Sequence, residues 1–521
     1  MTSQQRRAIL PAIIVATAAI VYAYLVHYSL IVPLNSDTAN YMLMAQTMAK
    51  GNVLLRGWLL PPDPYWVTDL LLYAPMVKVF GVSPFTSHAA AALVYLLLCT
   101  VAVALVVGGP RKDARVFRLG LVLLPMLALS PFLATLSLVG PQHVGTIVVV
   151  LLVIFLWPEA GSPMLNGRSL GAFVLLYMAN LSDPFTLWVY TLPLLAMALL
   201  TVLLRRADDR RQLWSPLLIA LWADVLAVFT RLLLSRLGDL RTYGLTASLA
   251  RDLGQNLHLL AQGFPIMYGV AFTGSPIDQL AGAIHLLILI PALLLLAIVP
   301  LRWLVRARGD LPSVLLSISA WSVLAEFVLS GMAGTLATLR YLLPSFVFSL
   351  LVLAREIDLT RVQGYLPRWL STGTQRLAVV AIAILLLFPG IGSVIAPGVS
   401  TPWPKIAAWL EQHHLSRGYG PYWDASILDL YSGGRVTVRA ITGSYGLRRE
   451  AVVVPYLWFV ERSWYGKDVD TRFVIYDPAD YGDVTRSTIA ETFGPPAREH
   501  HIGKYTILVW DHPIYAALPS R

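Results

Sequence analysis

The chain has 521 residues, of which 57% are hydrophobic and only 13% are charged. Soluble proteins contain roughly 45–50% apolar and about 25% charged residues, so this chain has too little charge to cover a water-exposed surface. The composition excludes an ordinary soluble enzyme and a disordered chain, and the single cysteine, Cys99, excludes intrachain disulfides. An integral membrane protein is predicted.

The net charge of +10 does not indicate nucleic-acid binding. The basic residues recur in short groups between apolar runs instead of forming one basic segment. This distribution is typical of the loops of a membrane protein.

Crossing the hydrocarbon core takes about 20 apolar residues in a helix. Eleven segments approach this length, and the fourth and fifth are short: 8–33, 85–108, 119–137, 143–157, 170–182, 185–204, 214–236, 279–301, 312–331, 338–354 and 377–396. The first segment is too long for a signal peptide, so we expect it to be retained.

The basic residues orient these spans. With the N-terminus in the cytoplasm, eighteen lysines and arginines fall in or beside inner loops, whereas the outer loops before residue 397 carry only five: Lys50, Arg56, Lys78, Arg241 and Arg251. This is a strong positive-inside bias. It places two long segments, 34–84 and 237–278, on the outer face.

Residues 397–521 have the composition of a soluble domain. Helical patterns near 402–415 and 486–493 and β-like runs at 436–441, 473–476 and 505–510 predict a small extracytoplasmic α/β domain. Its aromatic segment Gly418–Asp424 is expected to pack against the bundle, with carbohydrate contact as the alternative. We therefore predict a transmembrane module at 1–396 and a second domain at 397–521.

Leucines at four-residue spacing in the second outer segment predict an amphipathic surface helix: Leu245, Leu249, Leu253 and Leu257. Such a helix lies in the membrane interface and is a candidate cover for a lipid entrance.

Polar residues at one membrane face are the candidates for chemistry, since charge within the bilayer is costly. They are Asp37, His143, Asp183, Glu326 and Arg340. Structural alternatives stay open: Asp37 and Asp183 suit helix N-termini, and Glu326 and Arg340 suit a structural ion pair. No phosphate-binding glycine loop, dinucleotide fingerprint or HExxH motif is present, which favours a substrate delivered from the bilayer.

The sequence resembles the GT-C superfamily of polyprenyl-phosphate-dependent glycosyltransferases, especially relatives of bacterial protein O-mannosyltransferases and the lipid A aminoarabinose transferase. The likeness rests on three features. Asp37 opens the first outer loop and is followed by a helix ending at Gly51; Arg340-Tyr341-Leu342-Leu343-Pro344 stands late in the bundle; and the spans precede an outer domain.

The sequence departs from the family in two places. Asp37 is followed by Thr38 where many members have an Asp-Glu pair, and the turn Gly140-Pro141-Gln142-His143 lacks a second acidic motif. Asp63, Asp69 and Asp183 are the candidates for the second acid. No cofactor is certain, and a divalent metal is an open alternative.

The resemblance implies an inverting transferase with a polytopic helical bundle, in a bacterial inner membrane with a periplasmic C-terminal domain. Asp37 would be the base, and the donor phosphate would meet Arg340, followed by Arg231, Arg236, Arg241, Lys50 and Arg56. The substrate-binding candidates are Tyr41, Trp58, Tyr65, Trp66 and His143, although interfacial anchoring suits the aromatic residues equally. The partners would be a polyprenyl-phosphate sugar and a glycan, lipid or protein acceptor, without nucleic acid; the alternatives are a flippase for a lipid-linked glycan and a non-catalytic scaffold.

Overall fold

A computed structural model describes most of the chain. The described residues are 3–111, 114–157, 166–204, 207–238, 240–242, 248–270, 276–306, 309–357, 400–445, 451–466, 470–480 and 482–516. The predicted span at 377–396 and Leu245 lie outside them.

The first 357 residues are mainly helical. The helices are α1 Ser3–Ser29, α2 Ser36–Ala49, α3 Leu70–Phe80, α4 Pro84–Val107, α5 Arg115–Leu127, α6 Pro131–Ser137, α7 Val144–Phe155, α8 Gly167–Ser182, α9 Leu192–Leu203, α10 Ala207–Leu237, α11 Leu253–Met267, α12 Pro276–Arg306, α13 Leu311–Leu329 and α14 Leu343–Glu356. A π-helical segment, Leu187–Thr191, precedes α9, and a 3₁₀ helix, Leu336–Leu342, precedes α14.

Six helical segments in the described part of the chain are long and apolar enough to cross a membrane. They are Pro11–Ser29, Pro84–Val107, Gln212–Leu237, His285–Arg306, Leu311–Leu329 and Leu336–Glu356. A seventh is possible if α5 and α6, which meet at a bend of 84°, form one broken span. The protein is therefore polytopic, and the count of eleven spans stays a prediction.

The bend between α5 and α6 follows from the local sequence. Pro125 lies in the last turn of α5, and Ser130 caps α6 by accepting a hydrogen bond from the Leu133 amide at 3.1 Å. Pro131 then occupies the first turn of α6, where its missing N–H costs nothing. The predicted span at 119–137 thus corresponds to a broken helix pair.

Three predicted spans correspond to shorter helices. The segment 143–157 contains α7, with 12 residues, and the segment 170–182 lies within α8, with 16 residues. The segment 185–204 contains the π-helical turn and α9.

The predicted surface helix is wrong at its N-terminal end. Leu249 forms an isolated β-bridge with Ser330, and the helix begins only at Leu253, because the Asp252 carboxylate caps it by accepting from the Gln255 amide at 2.9 Å. Leu253 and Leu257 remain exposed on α11.

Residues 400–516 contain a mixed sheet flanked by helices. The strands are β3 Arg417–Pro421, β4 Thr437–Tyr445, β5 Ala451–Pro455, β7 Phe473–Tyr476, β8 Arg498–Ile502 and β9 Tyr505–Val509, in the order β5-β4-β3-β7-β9-β8. The central strand β3 runs parallel to β4 and β7, and the outer pairs are antiparallel. The helices are α15 Trp403–Gln412, α16 Ser426–Tyr431 and α17 Arg486–Phe493.

A second, small sheet joins distant parts of the chain. Strand β1, Trp58–Leu60, pairs in parallel with β2, Arg241–Thr242, and antiparallel with β6, Val460–Glu461. The loop after α2 is therefore tied by backbone hydrogen bonds to the C-terminal residues, and this holds the two regions in fixed register.

Candidate active site at the bundle end

The first turn of α2 presents a carboxylate that is not used for capping. Asn35 caps this helix, because its side-chain oxygen accepts from the Thr38 amide at 3.0 Å. Asp37 is thereby free to point away from the helix, and its carboxylate accepts a hydrogen bond from the hydroxyl of Tyr422. The predicted N-terminal capping role thus belongs to Asn35.

Tyr422 belongs to the aromatic segment that follows β3. The hydroxyl of Ser36 donates to the carbonyl of Trp423 at 3.0 Å, and the Asn40 amide donates to the Tyr422 hydroxyl at 3.4 Å. The predicted packing of segment 418–424 against the bundle is therefore confirmed.

Opposing effects act on Asp37. Burial raises the pKa of its carboxyl, while the hydrogen bond from Tyr422 and the positive charge of Arg340 both lower it. The 3₁₀ helix before α14 carries Arg340, and the guanidinium carbon lies 5.3 Å from the centre of the Tyr341 ring. Glu326, the predicted ion-pair partner of Arg340, lies buried in α13.

A cavity of about 460 Å³ lies between the bundle and the C-terminal sheet. Its lining has two charged residues from the bundle and one from the C-terminal region, four aromatic residues of the C-terminal region, and other uncharged groups: Asp37, Thr335, Ala337, Thr338, Arg340, Pro421, Tyr422, Trp423, Ile441, Thr442, Tyr456, Trp458, Asp483 and Val484. This volume lies within the roughly 300–1,000 Å³ typical of small-molecule sites.

A second cavity, of about 70 Å³, adjoins the first. Asp37, Arg340 and Trp458 line both, and Asp63 lines only the smaller one, together with Thr38, Tyr41, Pro61, Tyr65, Pro141, Gln142 and Phe459. A water's share of the liquid is roughly 30 Å³, so the smaller cavity holds only a few waters. The structure thus brings Asp37, Asp63 and Arg340 together, although they are far apart in sequence.

Asp63 ends a chain of buried polar contacts. Its carboxylate accepts from the Tyr65 hydroxyl at 3.0 Å, and that hydroxyl lies 3.3 Å from Nδ1 of His143. The same nitrogen lies 2.7 Å from the carboxylate of Asp183. Burial raises the pKa of Asp63, and His143 opposes this shift.

His143 and Asp183 therefore support the site from behind and do not line either cavity. The backbone of His143 has φ 64°, in the left-handed region, at the start of α7. Asp183 also accepts hydrogen bonds from the Thr146 hydroxyl at 2.7 Å and from the Phe185 amide at 3.0 Å. The predicted N-cap role of Asp183 is wrong: Asp183 ends α8, Pro184 and Phe185 form a turn, and the next helical segment starts beyond them.

Asp69 lines neither cavity. It is fully buried at the start of α3, its carboxylate accepts from the Thr68 hydroxyl at 3.0 Å, and burial raises its pKa to about 7. A Cβ atom on Gly145 would lie 2.2 Å from Oδ2 of Asp69. The carboxylate is thus packed against the backbone of α7 and lines neither cavity.

The remaining predicted cations are placed elsewhere. Arg231 donates two hydrogen bonds, of 3.1 and 2.7 Å, to the Leu181 carbonyl, and Arg241 lies in β2. Lys50 is exposed beyond the end of α2, about 20 Å from Asp37 along the helix axis. Arg340 is the only arginine or lysine among the lining residues of the two cavities in the described part of the chain, and neither Arg56 nor Arg236 lines them.

Two of the predicted sugar-stacking residues are buried instead. Trp58 packs edge-on against Trp464, with ring centres 5.1 Å apart. The indole of Trp66 donates to the Val53 carbonyl at 2.7 Å. Neither ring has a free face for a sugar, because packing of the first loop covers both. Among the predicted substrate-binding residues, only Tyr41 and Tyr65 line a cavity.

Sequence reasoning missed the contributions of the C-terminal region to the cavity. Tyr456, Trp458 and Asp483 gave no signal, because no motif relates them to Asp37. Tyr422 lay in a segment noted only for its aromatic residues, and its contact with Asp37 depends on how the sheet docks on α2.

The described residues contain no group of three or more His, Cys, Asp or Glu side chains arranged to hold a metal ion.

Comparison of the structure with solved structures identifies the fold. ArnT from Cupriavidus metallidurans in the apo state is 15% identical over 96% of this chain and 98% of its own, with a TM-score of 0.60. The same protein bound to undecaprenyl phosphate gives 13% identity, 96% and 97% coverage and a TM-score of 0.56. The chain has the GT-C fold.

A more distant GT-C structure matches as well. The oligosaccharyltransferase of Archaeoglobus fulgidus, in complex with zinc and sulfate, is 13% identical over 95% of this chain and 73% of its own, with a TM-score of 0.51. No family model and no curated protein sequence matches the chain. The resemblance inferred from Asp37, Arg340 and the plan of spans is thus confirmed at the level of the GT-C fold.

Proposed function

We propose that this chain is a membrane glycosyltransferase, which transfers a sugar from a polyprenyl-phosphate donor to an acceptor hydroxyl at the outer face of the membrane. The observation that carries the proposal is the shared position of Asp37 and Arg340, which line the same two cavities. The ArnT structure with bound undecaprenyl phosphate supports a donor of this class.

Asp37 is the proposed general base. The carboxylate takes the proton of the acceptor hydroxyl while the acceptor oxygen attacks the anomeric carbon of the donor sugar. The bond from that carbon to the phosphate oxygen breaks, and its electron pair leaves with the polyprenyl phosphate. This single displacement inverts the anomeric configuration.

Arg340 is the proposed partner of the leaving phosphate. A guanidinium matches phosphate oxygens with two parallel hydrogen bonds, and a fixed cation stabilises the charge that develops as the bond breaks. Asp37 and Arg340 line the same two cavities, so the proposal assigns the base and the cation to one reacting sugar.

Asp63 is the proposed second acid. It lines the smaller cavity with Asp37, and its carboxylate is held by Tyr65. A carboxylate there can orient a sugar hydroxyl or hold the attacking group in line with the base. Asp69 and Asp183 lack this access and are assigned to support.

The proposed orientation follows the positive-inside bias. It puts the N-terminus in the cytoplasm and residues 397–521, as a separate domain, on the periplasmic side of a bacterial inner membrane. The proposed module at 1–396 has eleven spans. In this orientation the cavities open near the outer leaflet, where a polyprenyl donor presents its sugar.

The main alternative is a transporter for a lipid-linked glycan. The cavity residues collect at one end of the bundle, whereas transport sites lie near the middle of the membrane. This position favours transfer over transport.

The test uses purified protein in lipid nanodiscs with undecaprenyl-phosphate-linked hexoses as donors. A transferase releases undecaprenyl phosphate, detected by liquid chromatography and mass spectrometry. For variants of the cavity aspartates, Asp511→Asn is the matched control, since Asp511 is exposed and lies outside both cavities. The transporter would be established instead by two results together. The wild-type protein leaves every tested sugar donor intact with every added acceptor, and it moves labelled lipid from one leaflet to the other in liposomes.

A further inference from the structure

The larger cavity contains a second carboxylate that the proposed chemistry does not use. Asp483, from the C-terminal sheet region, lines this cavity together with Asp37. Its Oδ2 accepts hydrogen bonds from the Thr442 hydroxyl and the Gly443 amide, both at 2.9 Å. Burial raises the pKa of Asp483, but these bonds outweigh it and hold the pKa below its usual range, so the carboxylate is a fixed anion.

Gly443 explains how Asp483 reaches this position. A Cβ atom at residue 443 would lie only 2.4 Å from the backbone carbonyl of Asp483, so a larger residue would push the Asp483 segment away from β4. The close approach orients the carboxylate at the cavity while leaving its side chain exposed to a ligand.

Aromatic rings form the wall beside this carboxylate. Tyr422, Trp423, Tyr456 and Trp458 line the cavity, and the Tyr422 ring meets the Tyr456 ring at 5.4 Å and 64°. Trp423 is 50% exposed, although the hydrogen bond from Ser36 fixes its backbone. A large apolar ring that is both held and exposed at a cavity offers a stacking surface.

This combination matches the chemistry of a sugar. A sugar ring has C–H faces that pack on aromatic rings and hydroxyls that donate to a fixed carboxylate, and specific small-molecule sites combine an apolar wall with few placed polar groups. A peptide acceptor fits less well. Of the two β4 residues that line the cavity, Ile441 is paired with both β3 and β5, and Thr442 is paired with β5. The next β4 amide, Gly443, is bonded to Asp483, so the lining part of β4 offers no run of free backbone groups for strand addition.

We propose that the larger cavity binds a carbohydrate acceptor, with Asp483 accepting hydrogen bonds from its hydroxyls and Trp423 stacking on its ring. This inference rests on the proposed function, since it names the class of group whose hydroxyl would face Asp37. The acceptor carbohydrate is either a soluble glycan or the headgroup of a glycolipid.

Saturation-transfer difference NMR tests this binding without requiring catalysis. The protein in nanodiscs is mixed with the methyl glycosides of mannose, glucose, galactose and N-acetylglucosamine. At least one glycoside should receive saturation from the wild-type protein, and its signal should fall at least five-fold in Asp483→Asn and in Trp423→Ala. Asp511→Asn should retain the full signal.

Absence of saturation transfer to all four glycosides in the wild-type protein would overturn the proposal. So would a signal that Asp483→Asn and Trp423→Ala leave unchanged. Circular dichroism and thermal melting of each variant separate loss of binding from loss of folding, and Asp483→Glu, which keeps the anion, should retain part of the signal.

Two further arms separate the acceptor source and the proposed function. Displacement of the bound glycoside by galactosyl diacylglycerol in the nanodisc supports a glycolipid acceptor, and unchanged binding supports a soluble glycan. Asp37→Asn should still bind the glycoside while donor cleavage is lost. If the glycoside binds but donor cleavage does not depend on Asp37, only the proposed function is contradicted. If donor cleavage depends on Asp37 but no glycoside binds, only the inference is contradicted.

Discussion

The hydrogen bond from Tyr422 to Asp37 predicts a shift in the pH dependence of transfer. Tyr422→Phe keeps the ring, its contact with Tyr456 and the wall of the cavity, and removes only the hydroxyl that donates to the carboxylate. This bond favours the ionised form of Asp37 and lowers its pKa, so its loss raises that pKa.

The size of the shift follows from the type of bond. A hydrogen bond to a charged group contributes about 1.5–3 kcal/mol, and one pKa unit corresponds to about 1.4 kcal/mol. Asp37 is only half-buried, so water replaces part of the lost interaction. We expect the pKa to rise by about one unit.

A base must be ionised to accept a proton, so the acidic limb of the profile should move to higher pH by the same amount. Donor cleavage is measured from pH 4 to pH 9 for wild type and Tyr422→Phe, with Tyr456→Phe as the control from the same cavity. The variant should lose activity at low pH and approach the wild-type rate at high pH.

An acidic limb that stays in place, or that moves by an equal amount in Tyr456→Phe, would refute the reasoning. It would mean that the titrating group of the profile is not Asp37, or that Tyr422 does not contact it in solution. Infrared spectroscopy of the Asp37 carboxyl band, assigned by comparison with Asp37→Asn, provides a readout independent of turnover.

Three further predictions concern charge, packing and the second acid. Arg340→Gln should lower kcat for donor cleavage by about 10²–10³-fold, since it removes a cation placed at the developing charge. Arg340→Lys should recover part of this loss. Equal rates in the wild type and both variants would exclude the assigned role. Gly145→Ala should lower the free energy of unfolding by about 1–3 kcal/mol through the clash with Asp69, whereas Gly120→Ala, whose Cβ would meet only Leu124 Cδ1 at 3.8 Å, should not lower the thermal midpoint. Asp63→Asn should reduce kcat while Asp69→Asn, outside the cavities, should leave kcat near wild type; the reverse order would exchange their roles.

The sequence was most informative where local rules apply. The run from Asp37 to Gly51 predicts a helix in the first loop, and α2 occupies Ser36–Ala49. The β-like run at 473–476 coincides with β7. These features depend on hydrophobic periodicity and on helix-ending signals, which are written in neighbouring residues.

Long-range contacts were less accessible. Arg231 and Arg340 have the same charge, and nothing in their local sequence shows that one binds the Leu181 carbonyl while the other lines the cavities. Trp58 and Trp66 look like exposed aromatic residues of a loop, but the pairing of β1 with β6 buries that loop. In each case docking of the C-terminal region or of a neighbouring helix decides the role.

The most direct test of the account is the single-turnover rate of donor cleavage in Asp37→Asn. Asparagine has nearly the shape of aspartate but cannot accept the proton, so the rate should fall by roughly 10²–10⁴-fold while binding of the intact undecaprenyl-phosphate sugar, measured in the same nanodiscs, is retained. A variant that cleaves donor at the wild-type rate would contradict the assignment of Asp37 as the base at the cavity it shares with Arg340.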